Sequence, residues 1–120
     1  MHKALIVDDD SAFAEILQQI LEEQGYEVKI AVDGNDGYFN YLLFKPDLVI
    51  TDIQMPRCDG FQLMRYIRTH DPRIRTIYMS ADLSRFKTLL EEERHRYNAN
   101  LLPKPFSKLD LIRLLPEARA

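Results

Sequence analysis

Residues 4–10 read ALIVDDD, four apolar side chains followed directly by three carboxylates. A run that is apolar at every position predicts a β-strand buried on both faces, as in a parallel sheet covered by helices on either side. This strand ends in Asp8, Asp9 and Asp10. The stretch therefore predicts an α/β fold with acidic side chains at the carboxyl end of its first strand.

Segments of the same kind recur along the chain and alternate with helical patterns. Apolar runs at 48–50, 77–79 and 101–102 predict three more strands, and alternating apolar positions at 28–32 predict an edge strand with one wetter face. Five helices are predicted from apolar side chains at helical spacing: Phe13, Ile16, Leu17, Ile20 and Leu21; Tyr38, Tyr41 and Leu42; Leu63, Met64 and Ile67; Phe86, Leu89 and Leu90; Leu109, Ile112 and Leu115. This alternation predicts a doubly wound parallel sheet with right-handed crossovers.

The size and composition of the chain suit one intracellular domain. Its 120 residues fall in the range of roughly 100–150 residues that is typical of a domain, so we expect a single domain over 1–120, with a frayed end at 116–120. The net charge of −3 argues against direct nucleic-acid contact. The single cysteine, Cys58, excludes an internal disulfide, and the apolar runs are too short to span a membrane. We therefore expect a cytoplasmic location.

Polar side chains follow four of the predicted strands. Asp8 and Asp9 follow the first, Asp52 the third, Ser80 the fourth and Lys104 the fifth, at the edge where doubly wound sheets bind ligands. Helix capping explains a single Asp after a strand, but three acids at one edge raise each other's pKa or need a cation. Mg²⁺ is the divalent ion best suited to such oxygen ligands, and the hydroxyl and ammonium groups add donors for a phosphoryl group. The edge therefore predicts phosphoryl-transfer chemistry.

Five segments in this order carry a family resemblance: Ala4–Asp10, Leu48–Pro56, Asp59–Gly60, Met79–Ala81 and Lys104–Phe106. Together they resemble the receiver domain of two-component response regulators, of the kind found in chemotaxis regulators. The resemblance covers essentially the whole chain and implies a flavodoxin-like sheet with strand order 2-1-3-4-5 and five flanking helices.

The resemblance also implies a metal site and a phosphoacceptor. Asp52 would accept a phosphoryl group from a phosphohistidine on a sensor histidine kinase or a histidine phosphotransfer protein. Asp9 and Asp52, with the backbone carbonyl of Gln54, would ligate Mg²⁺, and Asp8 would act through a metal-bound water.

Further expectations follow from the same resemblance. Ser80 and Lys104 would contact the phosphoryl oxygens, and the Lys104–Pro105 peptide bond would be cis. Residues Gln54 and Asp82 would tune how easily water reaches the acyl phosphate. The domain would catalyse only its own phosphorylation and dephosphorylation, and an unknown effector would read its state through the face formed by helix 4, strand 5 and helix 5.

The sequence departs from the receiver pattern in two places. Three residues before the lysine, receivers usually carry Tyr or Phe, and here that position is Leu101. The stretch from Ser80 to Lys104 is also about two residues longer than the commonest spacing in the family. Leu101 would therefore couple phosphorylation to output less sharply, unless a neighbouring aromatic such as Tyr78 or Tyr97 takes over.

Two other functions stay open at this point. Asp8-Asp9-Asp10-Ser11 also fits the opening motif of haloacid-dehalogenase-type phosphatases, in which Asp8 would be the nucleophile and Asp52 would have no role. That family needs a further acidic motif after the lysine and more chain for a cap. The other alternative is a receiver fold that binds partners without using phosphate.

The remaining conspicuous residues favour structural roles. Glu91–Arg96 is typical of a solvated helix face, and Cys58 is expected to have no part in the chemistry. Gly60 is expected to free the turn before helix 3. Aromatic residues of the helices, Tyr38, Tyr41, Phe44 and Phe86, are expected to pack in or beside the core.

Overall fold

A computed structural model describes residues 2–115, in which five strands and five α-helices alternate along the chain. The strands are β1 His2–Val7, β2 Tyr26–Ala31, β3 Leu48–Asp52, β4 Arg75–Ser80 and β5 Ala99–Pro103. The helices are α1 Ser11–Glu23, α2 Gly34–Phe44, α3 Gly60–Ile67, α4 Lys87–Arg96 and α5 Lys108–Leu114, with a 3₁₀ turn at Leu83–Phe86 leading into α4. The expected frayed end at 116–120 lies outside the described residues. None of the helices within 2–115 is long and apolar enough to cross a membrane.

The strands form one parallel sheet in the order β2-β1-β3-β4-β5, which confirms the predicted topology. The edge position of β2 is confirmed as well. Val32 was expected on the apolar face of that strand, but β2 ends at Ala31 and the Val32 side chain is 52% exposed. The chain has already turned toward α2 at this residue.

Two separate cores lie on opposite faces of the sheet, because successive side chains of a strand point to opposite faces. In β1, Leu5 and Val7 belong to the core under α2, α3 and α4, whereas Ala4 and Ile6 belong to the core under α1 and α5. This is why the ALIV run has no polar position. Both faces of the sheet are covered, as the run predicts.

Side-chain caps start most of the helices close to the carboxyl ends of the strands. Asp10, Asp33 and Asp59 accept hydrogen bonds from backbone N–H groups in the first turns of α1, α2 and α3. Ser107 and Asp110 form a capping box at the start of α5. At the other end of α1, Gly25 adopts a positive φ of 92°, a conformation that commonly ends a helix.

Four residues expected on apolar helix faces are exposed instead. The exposed fractions are 56% for Ile16, 42% for Leu42, 49% for Leu89 and 53% for Leu109. The buried residues of α1 are Ala14, Leu17 and Leu21, and α5 buries Leu111. Apolar residues at helical spacing cover a wider face of the helix than the part that packs against the sheet. Residues at the edge of that face therefore remain exposed to solvent.

Candidate functional site

Three carboxylates meet at the carboxyl edge of the sheet. Val7 of β1 pairs with Thr51 of β3, so the residues that follow them, Asp8 and Asp52, leave the sheet side by side. Together with Asp9 they offer three carboxylate oxygens that lie within 4.8 Å of one another. Asp8 is buried, Asp52 is partly buried and Asp9 is exposed. The structure thus brings together the acids that were predicted from three separate positions in the sequence.

Lys104 supplies the positive charge of the site. Its Nζ lies 3.3 Å from Asp8 Oδ2 and 3.3 Å from Asp52 Oδ2. Its backbone N–H donates to the carbonyl of Ser80, at 2.9 Å, and the Lys104–Pro105 peptide bond is cis, as expected. The lysine side chain is therefore placed over both carboxylates from two strands away.

Burial sets the electrostatics of Asp8. Its side chain is fully buried, and this burial raises the pKa of the carboxyl above its ordinary value. The N–H of Asp10, which donates to Oδ1 at 2.9 Å, and the charge of Lys104 lower this pKa, while the charge of Asp52 raises it further. The protonated form of Asp8 is therefore favoured relative to an exposed aspartate.

Ser80 ends the strand next to Asp52, and Gln54 follows Asp52 by two residues along the chain. Asp52 pairs with Met79, so Ser80, the next residue of β4, ends at the same edge of the sheet. The Ser80 hydroxyl oxygen accepts a hydrogen bond of 3.0 Å from the N–H of Asp82. Gln54 is exposed two residues after Asp52 and lines a cavity of about 380 Å³ between the β3–α3 loop and the 3₁₀ turn. Ser80 is thus the last residue of its strand, whereas Gln54 lies on the loop that follows β3.

The backbone around Asp52 is held tightly. Thr51 Oγ1 donates to the Asp52 carbonyl at 2.9 Å, and the N–H of Ile53 donates to the carbonyl of Met79 at 3.1 Å. A Cβ at Gly60 would lie 2.5 Å from the Asp52 carbonyl oxygen. Gly60 was expected to provide turn freedom, but what requires glycine here is this close approach of α3 to the acid-bearing strand.

One side chain at the site and one buried polar network between α3, β4 and α4 were missed by sequence reasoning. The Phe13 ring lies 4.6 Å from Lys104 Nζ, although Phe13 was assigned only to the apolar stripe of α1. Glu93, expected on a solvated face, instead binds buried Arg68 and the Tyr78 hydroxyl. An arginine directly after the apolar stretch of α3 was the available signal for the polar network, because buried arginines need partners.

Cys58 takes no part in this chemistry. The thiol is buried, and burial raises its pKa, with the charges of Asp59 and Asp33 acting in the same direction. A thiol in this state is a poor nucleophile, in line with the structural role expected for it.

Comparisons with known proteins agree with this geometry. The family model for the response regulator receiver domain matches residues 4–115. DNA-binding transcriptional regulator NtrC of Bradyrhizobium is 34% identical over 116 residues, which are 97% of this chain and 24% of NtrC. Overall, the chain spans about a quarter to a half of the length of the curated relatives it matches.

Solved structures show the same fold. Chemotaxis protein CheY4 of Vibrio cholerae is 26% identical with a TM-score of 0.83, and the match covers 94% of each chain. The receiver domain of a sensor histidine kinase from Pseudomonas aeruginosa, solved with magnesium coordinated in its active site cleft, is 24% identical with a TM-score of 0.75 over 94% of this chain and 93% of that one. The acid cluster lies at the expected edge of the sheet, and the family model matches nearly the whole length of this chain. The chain therefore belongs to the response regulator receiver domain family.

Proposed function

We propose that this receiver domain is phosphorylated on Asp52. The observation that carries the proposal is the meeting of the Asp8, Asp9 and Asp52 carboxylates with the Lys104 ammonium at one edge of the sheet. Both oxygens of Asp8 are engaged, one by the N–H of Asp10 and one by Lys104, and its side chain is fully buried. Asp52 has a side chain that is 15% exposed, so it is the more accessible nucleophile of the two.

The donor set suits a magnesium ion. Among residues 2–115, the three carboxylates have one ammonium group beside them, that of Lys104. The cluster therefore keeps a net negative charge that a hard divalent cation with oxygen ligands would balance. Asp9, Asp52 and the backbone carbonyl of Gln54 would ligate this ion, and Asp8 would act through a water bound to it. When bound, the ion offsets the charge of the carboxylates and of the incoming phosphoryl oxygens.

The chemistry of the chain's own residues is a single in-line displacement. A carboxylate oxygen of Asp52 attacks phosphorus, the bond from phosphorus to the imidazole nitrogen of the donor breaks, and its electrons stay on that nitrogen. An acyl phosphate forms, and Lys104 and Ser80 donate hydrogen bonds to its oxygens. Water later cleaves the acyl phosphate, which restores Asp52 and releases inorganic phosphate. The domain changes its own state and turns over no separate substrate.

The partners follow from this role. The donor is a sensor histidine kinase or a histidine phosphotransfer protein, and the cytoplasm is the compartment in which we place the exchange. The reader of the phosphorylated state is an unknown effector that contacts the face formed by α4, β5 and α5. Membership of the receiver family supports a protein phosphorylated on histidine as the donor. Leu101, at the position where receivers usually carry an aromatic residue, affects how the effector would detect phosphorylation.

Intact-mass spectrometry and peptide mapping test the proposal with acetyl phosphate as the donor. We expect the chain to gain one phosphoryl group on Asp52 in the presence of Mg²⁺. Asp52→Asn should abolish the gain, whereas Asp71→Asn, at an acid beyond α3, should leave it intact. Chelation of divalent ions should suppress it, and normal labelling without them would refute the role of the acids.

The same experiment separates the alternatives. Uptake that is lost in Asp8→Asn but kept in Asp52→Asn would identify Asp8 as a phosphatase-type nucleophile. No uptake in any arm, with Mg²⁺ and donor at saturating concentrations, would identify a receiver fold that binds its partners without phosphate.

A further inference from the structure

The Lys104 ammonium has a third neighbour besides the two carboxylates. Its distances of 3.3 Å to Asp8 Oδ2 and Asp52 Oδ2 exceed the roughly 2.7–2.9 Å of a tight charge-assisted hydrogen bond. Neither carboxylate therefore fixes the ammonium alone. Nζ also lies 4.6 Å from the centroid of the Phe13 ring, inside the range of about 6 Å over which an aromatic face attracts a cation.

The Phe13 ring is itself held in place. It packs against Phe106 edge-on, with ring centroids 5.5 Å apart and planes 75° apart. Phe106 lies two residues after Lys104, so the segment that delivers the ammonium also fixes the ring that faces it. Packing in the core explains why Phe13 touches Phe106. It does not explain why the ammonium lies over the Phe13 ring.

Hydrogen bonds and the ring contact link these residues into a closed circuit of contacts. Asp8 Oδ1 accepts from the N–H of Asp10, and Asp10 Oδ1 accepts from the N–H of Phe13. The Phe13 ring contacts the Lys104 ammonium, which returns to Asp8 Oδ2. The turn between β1 and α1 thus determines the position of an acid and of an aromatic ring on two sides of one cation.

We propose that Phe13 is a positioning residue for phosphoryl transfer, acting through a cation–π contact that holds Lys104 beside Asp52. This inference rests on the proposed phosphorylation of Asp52. The ring shields the ammonium from water on one side, and its attraction extends far enough for Nζ to shift toward the phosphoryl oxygens without leaving the ring. Asp8 and Phe13 hold the ammonium in place before the phosphoryl group arrives. The Lys104 side chain therefore loses less conformational freedom during the reaction itself.

A graded series of fluorinated phenylalanines tests the contact. Fluorination weakens the negative face of the ring while nearly conserving its size. We expect 4-fluorophenylalanine at position 13 to slow phosphorylation by acetyl phosphate about twofold and 3,4,5-trifluorophenylalanine about fivefold, the loss typical of a partly desolvated cation–π contact. The same substitutions at Phe39, an exposed ring on α2 that serves as the matched control, should change the rate by less than the smallest of these effects.

A second readout needs neither metal nor phosphate. NMR relaxation of the Lys104 ε-methylene group, assigned with Lys104→Arg, gives its order parameter. We expect this order parameter to fall stepwise along the series at position 13 and to stay constant along the series at position 39. Phe13→Leu, which keeps an apolar side chain of similar length, should match the trifluorinated variant in both readouts.

The outcomes separate this inference from the proposed function. A rate and an order parameter that are flat along the series at position 13, or that fall equally at both positions, overturn the role of Phe13. If the natural chain takes no phosphate on Asp52, the proposed function fails. The Lys104 order parameter then still decides whether the contact exists.

Discussion

The hydroxyl of Tyr78, buried in β4, donates a hydrogen bond of 2.5 Å to the carboxylate of Glu93 on α4. The same carboxylate oxygen binds the guanidinium of Arg68, at the end of α3, and this guanidinium stacks over the Tyr97 ring at 3.9 Å. Burial raises the pKa of Tyr78 above its ordinary value, so the hydroxyl stays protonated and remains a donor. A polar network thus ties α4 to the strand that ends in Ser80.

Removing Glu93 from this network should destabilise the fold. Glu93→Ala leaves the Arg68 side chain, which is 5% exposed, without its anionic partner, and we expect the free energy of unfolding in urea to fall by about 2–3 kcal/mol. Glu91→Ala, at an exposed position on the same helix, should change it by less than about 0.5 kcal/mol. Equal effects of the two variants would show that Glu93 behaves as an ordinary surface residue.

The network should also limit how far α4 moves on activation. Tyr78 pairs with Leu101 in the sheet, so this buried ring lies beside the position where receivers usually carry an aromatic switch. We expect beryllofluoride, a phosphate analogue, to shift backbone resonances strongly at Ser80–Leu83 and weakly on the α4, β5 and α5 face. Tyr78→Phe, which removes only the hydroxyl, should enlarge the response of α4 in chemical-shift mapping. A large response of that face in the natural chain, kept in Leu101→Ala, would contradict a network that holds α4 fixed.

The raised pKa of Asp8 predicts how stability depends on pH. A carboxyl whose pKa is raised by folding binds more protons in the folded state, so its contribution to stability is fully present below about 3.8 and is lost as pH rises through the raised value. In metal-free protein at neutral pH, Asp8→Asn should therefore raise the free energy of unfolding. Urea titrations across this pH range measure it, with Glu91→Gln as a charge-neutralising control. A variant that is less stable than the natural chain at neutral pH would disprove the expected sign.

Gly60 and Gly25 give a matched pair of glycine substitutions. Gly60→Ala places a Cβ 2.5 Å from the Asp52 carbonyl oxygen, so we expect a loss of about 2 kcal/mol in stability together with slower phosphorylation of Asp52. At Gly25 no atom lies within 4 Å of the added Cβ, but φ is positive, so Gly25→Ala should cost about 1 kcal/mol and leave phosphorylation unchanged. Phosphorylation rates that fall alike in both variants would rule out a specific effect at the site.

Gln54 and Asp82 should set the lifetime of the acyl phosphate. Both side chains are exposed on loops that leave the site, two residues after Asp52 and Ser80 respectively. Exchanging either for alanine should change the dephosphorylation rate, followed as decay of the phosphorylated mass, without abolishing phosphorylation. If both variants decay at the natural rate, the two residues do not control access of water.

Runs of uniformly apolar residues made the sheet predictable. Burial on both faces leaves no polar position in residues 4–7 of β1 or in the centre of β3, and the acids that follow then had to meet at one edge. Phe13 and Glu93 could not be assigned in the same way. Their partners, Lys104 and Tyr78, are distant in sequence, and a periodic pattern records which face of a helix is apolar but not which cation or hydroxyl lies opposite.

The ion pair between Asp8 and Lys104 joins residues 96 positions apart, near the two ends of the described chain. A nascent chain that has emerged only as far as β4 already carries the aspartates but has no ammonium to face them. We expect the closure of so long a loop of chain to come late in folding, after the local helices and the neighbouring strand pairs. Within residues 2–115 the complete arrangement of acids and ammonium should therefore form last, so a chain that has emerged only as far as β4 would not yet present it to a phosphoryl donor.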